Sequence, residues 1–153
     1  MENQQLSREL VDFLQGEKII SLITINKETK QPTVSIISWL LAHKNGRFLS
    51  FAVGHNADST KNIEEDPYVV LNIIAENSTF EVTGEGKVSN IYKGTIKYRV
   101  VTVEIKTVIE NMFYGGKITT FPQYEKTYDL ILAKKLDHEI YVTLKEILEK
   151  ILL

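Results

Sequence analysis

The sequence predicts a mainly β (α+β) protein in which six mostly antiparallel strands form a small barrel with helices at its periphery. Six segments are rich in apolar and β-branched residues, and turn residues separate most of them. Closure is favoured because a barrel removes the exposed edges of an open sheet. With 153 residues and no repeat or linker, residues 1–153 are predicted to form one domain. The predicted strands are residues 19–25, 33–42, 47–53, 68–75, 79–88 and 101–110.

The composition excludes several classes of protein. Hydrophobic residues make up 43% of the chain and charged residues 25%, which excludes wholesale disorder. Eighteen Lys and Arg against twenty Asp and Glu leave a net charge of −2, which argues against nucleic-acid binding by bulk charge. The absence of cysteine excludes disulfides and thiolate chemistry, and the three His lack metal-ligand spacing, so no metal site is expected. Without a leader or a membrane-length apolar stretch, the chain is expected to be cytoplasmic and free of membrane contact.

The chain is predicted to begin with an amphipathic helix over residues 4–15. Leu6, Leu10 and Leu14 recur at helical spacing, and Gly16 follows as a stop signal. The helix therefore presents one apolar stripe for packing against the strands that follow.

Three strands are predicted after this helix. Residues 19–25 form a dense apolar run rich in β-branched side chains. Residues 33–42 are apolar on both sides, so neither face of this strand is predicted to be plainly wet. Asn45-Gly46 then indicates a hairpin, because a type I′ turn needs a positive φ at both central residues. The third strand, residues 47–53, completes this hairpin.

A short helix is predicted next. Gly54 breaks the strand pattern, and Asp58 or Ser59 is expected to cap the helix. The helix runs through Asp66, because Pro67 restricts the residue before it to extended conformations.

The second half of the chain is predicted to contain a strand interrupted by glycines, a loop, a sixth strand and two helices. Gly84 and Gly86 lie on the apolar side of the fifth strand, which predicts a bend or a close backbone approach. Residues 89–97 are predicted to form a loop before the sixth strand. Apolar residues in the tail predict two helices, over residues 124–135 and 143–153.

The segment that joins the third strand to the short helix is the best candidate for a binding site. Ser59, Thr60 and Lys61 stand in the first turn of the predicted helix. Free backbone N–H groups and the positive end of the helix dipole favour an anion there, and two hydroxyls with an ammonium complete a cradle for one phosphate. A second interpretation stays open, in which Asp58 and Ser59 cap the helix and Lys61 is a solvated charge.

Five short segments, in this order along the chain, resemble a known family. They read EKIISLIT (residues 17–24), PTVSIISW (residues 32–39), STKNI (residues 59–63), EDPYV (residues 65–69) and FEVTGEGKV (residues 80–88). The ordered set is similar to the FMN-binding split-barrel proteins related to pyridoxamine 5′-phosphate oxidase. The resemblance implies a six-stranded antiparallel split β-barrel with peripheral helices.

The resemblance also implies a role for nine residues. The residues expected to contact FMN are Ser59, Thr60 and Lys61 at the phosphate, Ser35, Ile36, Ile37 and Ser38 along the edge of the isoalloxazine ring, and Val53 and Gly54 beside the ring or the ribityl chain. In this family FMN usually lies at a homodimer interface, so the partner chain is expected to complete the site. No acid, base or nucleophile is assigned, because the flavin carries the redox chemistry.

The implied function is that of a flavin-dependent oxidoreductase of unknown substrate, with NAD(P)H as a candidate hydride donor. Two alternatives stay open: a module that holds flavin, haem or a deazaflavin without turnover, and a cofactor-free barrel used for protein interaction. Vitamin B6 oxidation is not expected, because the chain departs from the true pyridoxamine 5′-phosphate oxidases that it resembles. Those enzymes hold the substrate with Arg, Trp and His residues of a C-terminal strand, whereas residues 124–153 contain no Arg or Trp. Residues 33–42 also lack the Arg and Lys that help to hold phosphate in those enzymes.

Overall fold

The computed structural model describes residues 2–151. The strands in this range are β1 (Glu2–Asn3), β2 (Ile20–Ile25), β3 (Pro32–Ile37), β4 (Leu40–Ala42), β5 (Phe48–Gly54), β6 (Tyr68–Ile74), β7 (Thr79–Val88), β8 (Tyr92–Lys93) and β9 (Lys97–Glu110). The helices are α1 (Arg8–Phe13), α2 (Asp58–Glu65) and α3 (Leu130–Glu149).

These strands form one curled antiparallel sheet. Its order is β3-β2-β6-β7-β9-β5-β4, and the short strands β1 and β8 also pair with β9. β3 and β4 follow each other in the chain but lie at opposite ends of this order. Because only Ser38 and Trp39 join them, the sheet must curl until its two ends approach each other, and β3 comes close to β5. The result is a half-barrel.

The prediction of six strands is wrong because residues 33–42 form two strands. β3 pairs with β2, whereas β4 pairs with β5, so the chain changes partner at Ser38 and Trp39. A continuous apolar run does not reveal a change of partner. The predicted loop over residues 89–97 contains β8, and two-residue strands such as β1 and β8 are too short to produce a detectable alternation.

The core fills the inner face of the curled sheet. Leu22, Leu71 and Val82 lie opposite one another on three neighbouring strands, and all three are fully buried. Leu10 and Leu14, from α1 and its C-cap, join the same cluster. Each such side chain contributes roughly 1.5–3 kcal/mol by leaving water, so this cluster accounts for much of the stability.

A second cluster lies on the outer face of the sheet, where α3 packs. Ala52 and Val100 pair across β5 and β9 and contact Ile140 and Leu144 of α3. Phe51 and Val101, which neighbour this pair on the two strands, belong to the barrel core. α3 therefore covers the outer face of β5 and β9. Within residues 2–151, no helix is both long and apolar enough to cross a membrane.

The prediction of two C-terminal helices is wrong, because α3 is one continuous helix. Its buried stripe is Ala133, Leu136, Ile140, Leu144 and Leu148. These residues recur every three or four positions without a break, so nothing interrupts the helix. It begins only after the N-cap Asp129, whose carboxylate accepts hydrogen bonds from two backbone N–H groups. The predicted residues 152 and 153 lie outside the described range.

One glycine prediction is confirmed in part and another in full. The loop at Asn45-Gly46 joins β4 to β5 as predicted, but only Gly46 has a positive φ, 74°, so the turn is not of type I′. Gly84 sits at a β-bulge between β7 and β9. A Cβ there would overlap the carbonyl oxygen of Glu104, which is the close backbone approach that the apolar-side glycine indicates.

The outer edge of β4 is closed by hydrogen bonds from outside the sheet. The Tyr141 hydroxyl accepts from the Leu40 N–H at 3.3 Å and lies 3.2 Å from the Leu40 carbonyl oxygen. The Ala42 N–H donates to the Leu14 carbonyl at 3.0 Å, and Gln15 Nε2 donates to the Ala42 carbonyl at 2.9 Å. An edge strand satisfied in this way has few free groups with which to pair another chain.

Candidate functional site

The end of β5 and the start of α2 form a tight corner. The Ala57 N–H donates to the Gly54 carbonyl at 3.0 Å, which turns the chain from strand into helix. The prediction that Asp58 or Ser59 caps the helix is wrong, because Ala57 is the N-cap and its side chain accepts nothing. The backbone N–H groups of the first turn therefore lack the side-chain acceptor that a Ser, Thr, Asp or Asn cap supplies.

The three predicted phosphate ligands differ in their environment. Ser59 is only 3% exposed, and its hydroxyl has no hydrogen-bond partner within residues 2–151. The buried Thr60 hydroxyl donates to the Ala57 carbonyl at 2.8 Å, so its proton is already committed. Lys61 is exposed and forms no ion pair with another described residue. Ser59 and Lys61 are the two side chains with donors to spare.

This corner fits a phosphate monoester. Such a group has several acceptor oxygens and a negative charge, and the corner offers backbone N–H groups, the Ser59 hydroxyl and the Lys61 ammonium. A Cβ at Gly54 would meet no atom within 4 Å, so space is open beside the end of β5. The exposed carboxylate of Asp58 lies in the same first turn, and its negative charge would repel a bound phosphate.

α2 is held firmly against the sheet. Asn62 Nδ2 donates to the Thr24 hydroxyl of β2 at 3.0 Å, and both residues are buried. Ile63 belongs to the barrel core. The position of the first turn, and of its N–H groups, therefore follows from the packing of the next turn of the helix.

A cation that the sequence analysis did not single out lies next to this corner. Arg99 stands in β9 directly opposite Val53. Its two terminal nitrogens each lie 3.2 Å from a carboxylate oxygen of Glu64, on α2. No local pattern indicates this pairing, because the two residues are 35 positions apart.

The four residues predicted at the ring edge fall into two groups. Ser35, Ile36 and Ile37 belong to β3, whereas Ser38 lies in the break before β4. Ile36 is 63% exposed, but Ile37 points into the barrel core and offers only its backbone to a ligand. Ser35 and Ser38 are half-buried, and the Ser38 carbonyl accepts from the Tyr141 hydroxyl at 3.3 Å.

The structure thus joins five of the nine predicted residues directly. Val53 and Gly54 end β5, and residues 59–61 open α2 after a three-residue loop. β3 approaches β5, which brings the strand that carries residues 35–37 to the same side of the half-barrel. α2 itself packs against β2 and β7, so a single site shared by this corner and residues 35–38 stays a prediction.

A second polar cluster lies beside the break between β3 and β4. Lys126 Nζ donates to Glu17 at 2.8 Å and to Asp137 at 3.0 Å, and the Trp39 indole N–H donates to Asp137 at 2.9 Å. Burial opposes the charge on Lys126, but the two carboxylates outweigh it and raise its pKa. Burial likewise opposes the charge on Asp137, but the bonds from Trp39 and Lys126 lower its pKa. This cluster ties the segment before α3 to the body of the protein.

A cavity of about 700 Å³ lies away from the predicted residues. It is bounded by the end of α1, by β4 and the loop after it, and by the last turns of α3. Its lining residues are Gln15, Gly16, Glu17, Leu41, Ala42, His43, Lys44, Tyr141, Lys145, Leu148 and Glu149. Because none of the nine predicted residues lines this cavity, the cavity gives no support to the predicted cofactor site.

Solved structures share this architecture. A pyridoxamine 5′-phosphate oxidase-like protein from Lactobacillus delbrueckii matches with a TM-score of 0.60 and 16% identity, over 70% of this chain and 95% of that one. HupZ from Group A Streptococcus matches with a TM-score of 0.60 and 10% identity, over 74% and 98%. A protein named F420 Reductase matches with a TM-score of 0.53 and 16% identity, over 65% and 95%.

These likenesses define the fold class. No protein family and no curated protein matches the sequence itself. The structural neighbours are pyridoxamine 5′-phosphate oxidase-like proteins, in agreement with the resemblance carried by the five short segments. The chain has their split-barrel fold.

Proposed function

We propose that the chain binds FMN and acts as a flavin-dependent oxidoreductase. The observation that carries the proposal is the β5–α2 corner. There an uncapped helix start, the hydroxyl of Ser59 and the exposed Lys61, which pairs with no carboxylate within residues 2–151, lie near open space beside Gly54. These donors suit the phosphate of FMN, and the split-barrel fold supports the assignment.

The protein's part in the chemistry is to bind and orient the cofactor. Bound FMN would supply hydride and single-electron transfer, with NAD(P)H as a candidate donor. Ser59 and Lys61 would hold the phosphate, and Val53 would lie beside the ribityl chain or ring. Ser35 and Ser38 carry hydroxyls and backbone amides for the polar edge of the ring. A deazaflavin in place of FMN is the second candidate, which the likeness to F420 Reductase favours.

The proposal includes a homodimer, in which the partner chain completes the flavin site. The outer face of β3, β2 and β6 is apolar: Val34 and Ile36 are 65% and 63% exposed, and Ile23 and Val70 continue the row that begins at Val34. α3 covers the outer face of β5 and β9 and leaves this one open. A second copy of the chain would remove these side chains from water.

Sedimentation velocity tests the dimer. The wild-type chain is expected to sediment as a dimer, and Val34→Lys is expected to shift it to monomer because the new charge would be buried in the interface. Ile91→Lys, at an exposed apolar residue of the loop after β7, is the control and should leave the dimer intact. A monomeric wild-type chain would contradict the proposal.

A visible absorption spectrum tests the cofactor. The protein is incubated with FMN and passed through a desalting column, and a retained flavin spectrum is expected. Ser59→Ala combined with Lys61→Ala should lose most of the bound flavin, whereas Lys134→Ala, which removes an exposed charge from α3, should not. A colourless wild-type chain would favour a cofactor-free barrel, and a haem-like band after incubation with haemin would favour a haem-binding module.

Anaerobic addition of NAD(P)H then separates an enzyme from a carrier. Bleaching of the flavin band is expected for an oxidoreductase that accepts a hydride from this donor. A flavin that stays oxidised with NADH, with NADPH and with reduced deazaflavin would favour a module that holds the cofactor without turnover.

A further inference from the structure

Arg99 lies at the β5–α2 corner, outside the nine predicted residues. Its place in β9 is directly opposite Val53, and its guanidinium reaches Glu64 of α2. Glu64 and Lys61 are three positions apart and therefore share a face of the helix. The Arg99 side chain is 18% exposed and that of Glu64 is 48% exposed. The guanidinium thus lies between the end of β5 and the helix face that carries Lys61.

The two sides of this guanidinium are held unequally. Arg99 Nε donates to the Ser89 carbonyl at 2.8 Å, and the Ser89 hydroxyl is itself fixed by the Val100 N–H at 2.9 Å. The terminal nitrogens reach Glu64 at 3.2 Å, longer than the roughly 2.7–2.9 Å of a strong charge-assisted bond. The pair is bidentate and Arg99 is mostly buried, but Glu64 is half-exposed, which limits what the pair contributes to stability. The terminal nitrogens can therefore change partner while Nε keeps its anchor.

We propose that Arg99 is a phosphate-recognition residue that exchanges Glu64 for the phosphate of the flavin. This inference rests on the proposed function. A phosphate monoester carries about −1.5 to −2 charges, whereas Lys61 supplies one positive charge and Asp58 opposes it. Arg99 brings the second cation, and its planar fork suits two oxygens of one phosphate. Glu64, already half-exposed, returns to solvent at little cost.

The comparison of FMN with riboflavin tests the exchange, because the two ligands differ by the phosphate alone. Each is titrated into the wild-type chain, Arg99→Gln and Glu64→Gln, with quenching of flavin fluorescence as the readout. Arg99→Gln is expected to weaken FMN binding about 10- to 100-fold. Riboflavin has no phosphate with which Arg99 could form a charge-assisted bond, so its binding should change less than about twofold. Glu64→Gln removes the competing carboxylate and is expected to tighten FMN binding about 2- to 5-fold, leaving riboflavin unchanged.

The outcomes separate this inference from the proposed function. Equal losses for both flavins in Arg99→Gln, or an unchanged FMN affinity, overturn the role of Arg99 and leave the flavin site in place. If circular dichroism shows that Arg99→Gln does not fold, Glu64→Gln decides: FMN binding that is no tighter than wild type overturns the exchange. A wild-type chain that binds neither flavin overturns the proposed function, and the role of Arg99 with it.

Discussion

Removal of the Tyr141 hydroxyl is expected to destabilise the protein by about 2 kcal/mol. This hydroxyl closes the outer edge of β4 at Leu40, which is fully buried. Tyr141→Phe keeps the ring, which packs beside the cluster under α3, and deletes only the polar atom. The N–H of the buried Leu40 would then lose the acceptor that it has in the wild-type chain.

The magnitude follows from the geometry. An unsatisfied buried donor costs roughly 1–3 kcal/mol. The three contacts of the hydroxyl measure 3.2–3.3 Å, which is long, so a value near the middle of this range is appropriate. For a domain of this size, each kcal/mol lowers Tm by roughly 2–4 °C, so about 4–8 °C is expected.

Urea unfolding followed by circular dichroism measures the effect. The midpoint should fall with little change in slope, because the same surface is exposed on unfolding. Tyr114→Phe is the matched control: Tyr114 is fully exposed, and its change should stay within about 0.5 kcal/mol. If Tyr141→Phe proves as stable as this control, the edge of β4 does not depend on the hydroxyl.

Three further predictions follow from single contacts. Asp58→Asn removes the negative charge from the first turn of α2 and should tighten FMN binding about 2- to 5-fold; equal tightening of riboflavin would show that the phosphate is not involved. Gly84→Ala should cost about 1–3 kcal/mol in urea unfolding, because its Cβ would overlap a backbone carbonyl, whereas Gly54→Ala, with open space around it, should cost less. Burial and a hydrogen bond from its hydroxyl to a carboxylate raise the pKa of Tyr124 to about 12. The folded state therefore holds this proton more tightly than the unfolded chain, and stability should fall as pH rises from about 10 towards 12. Tyr124→Phe should lose less across this window; an unchanged pH slope of the urea midpoints would contradict the assignment.

The strands could be predicted from the sequence because their signal is local. Apolar alternation and turn residues located β2, β5, β6 and β7 to within one residue at most of their ends. The corner of the candidate site was also predictable, since Val53, Gly54 and residues 59–61 are close in sequence and stay close in space. The glycine at position 84 indicated a close backbone approach for the same local reason.

The errors concern features that depend on distant partners. The apolar run of residues 33–42 is the same whether it pairs with one neighbour or two, so the break at Ser38 and Trp39 could not be seen. α3 stays continuous because its buried stripe runs without a break from Ala133 to Leu148, with Ile140 and Leu144 packed on the sheet. The predicted cap at Asp58 failed because the hydrogen bond between Ala57 and Gly54 starts the helix one residue earlier.

The sequence by itself determined the strand pattern, the Ser-Thr-Lys turn and the absence of cysteine chemistry, because each depends only on residue type and spacing. Only the tertiary structure decided that the Arg99 side chain lies beside α2, the helix that begins with these residues. It placed Arg99 opposite Val53 and within reach of Glu64, although these residues are far apart in the chain. Spacing along the sequence carries no information about such contacts, since they arise only when the sheet curls and α2 packs against β2 and β7.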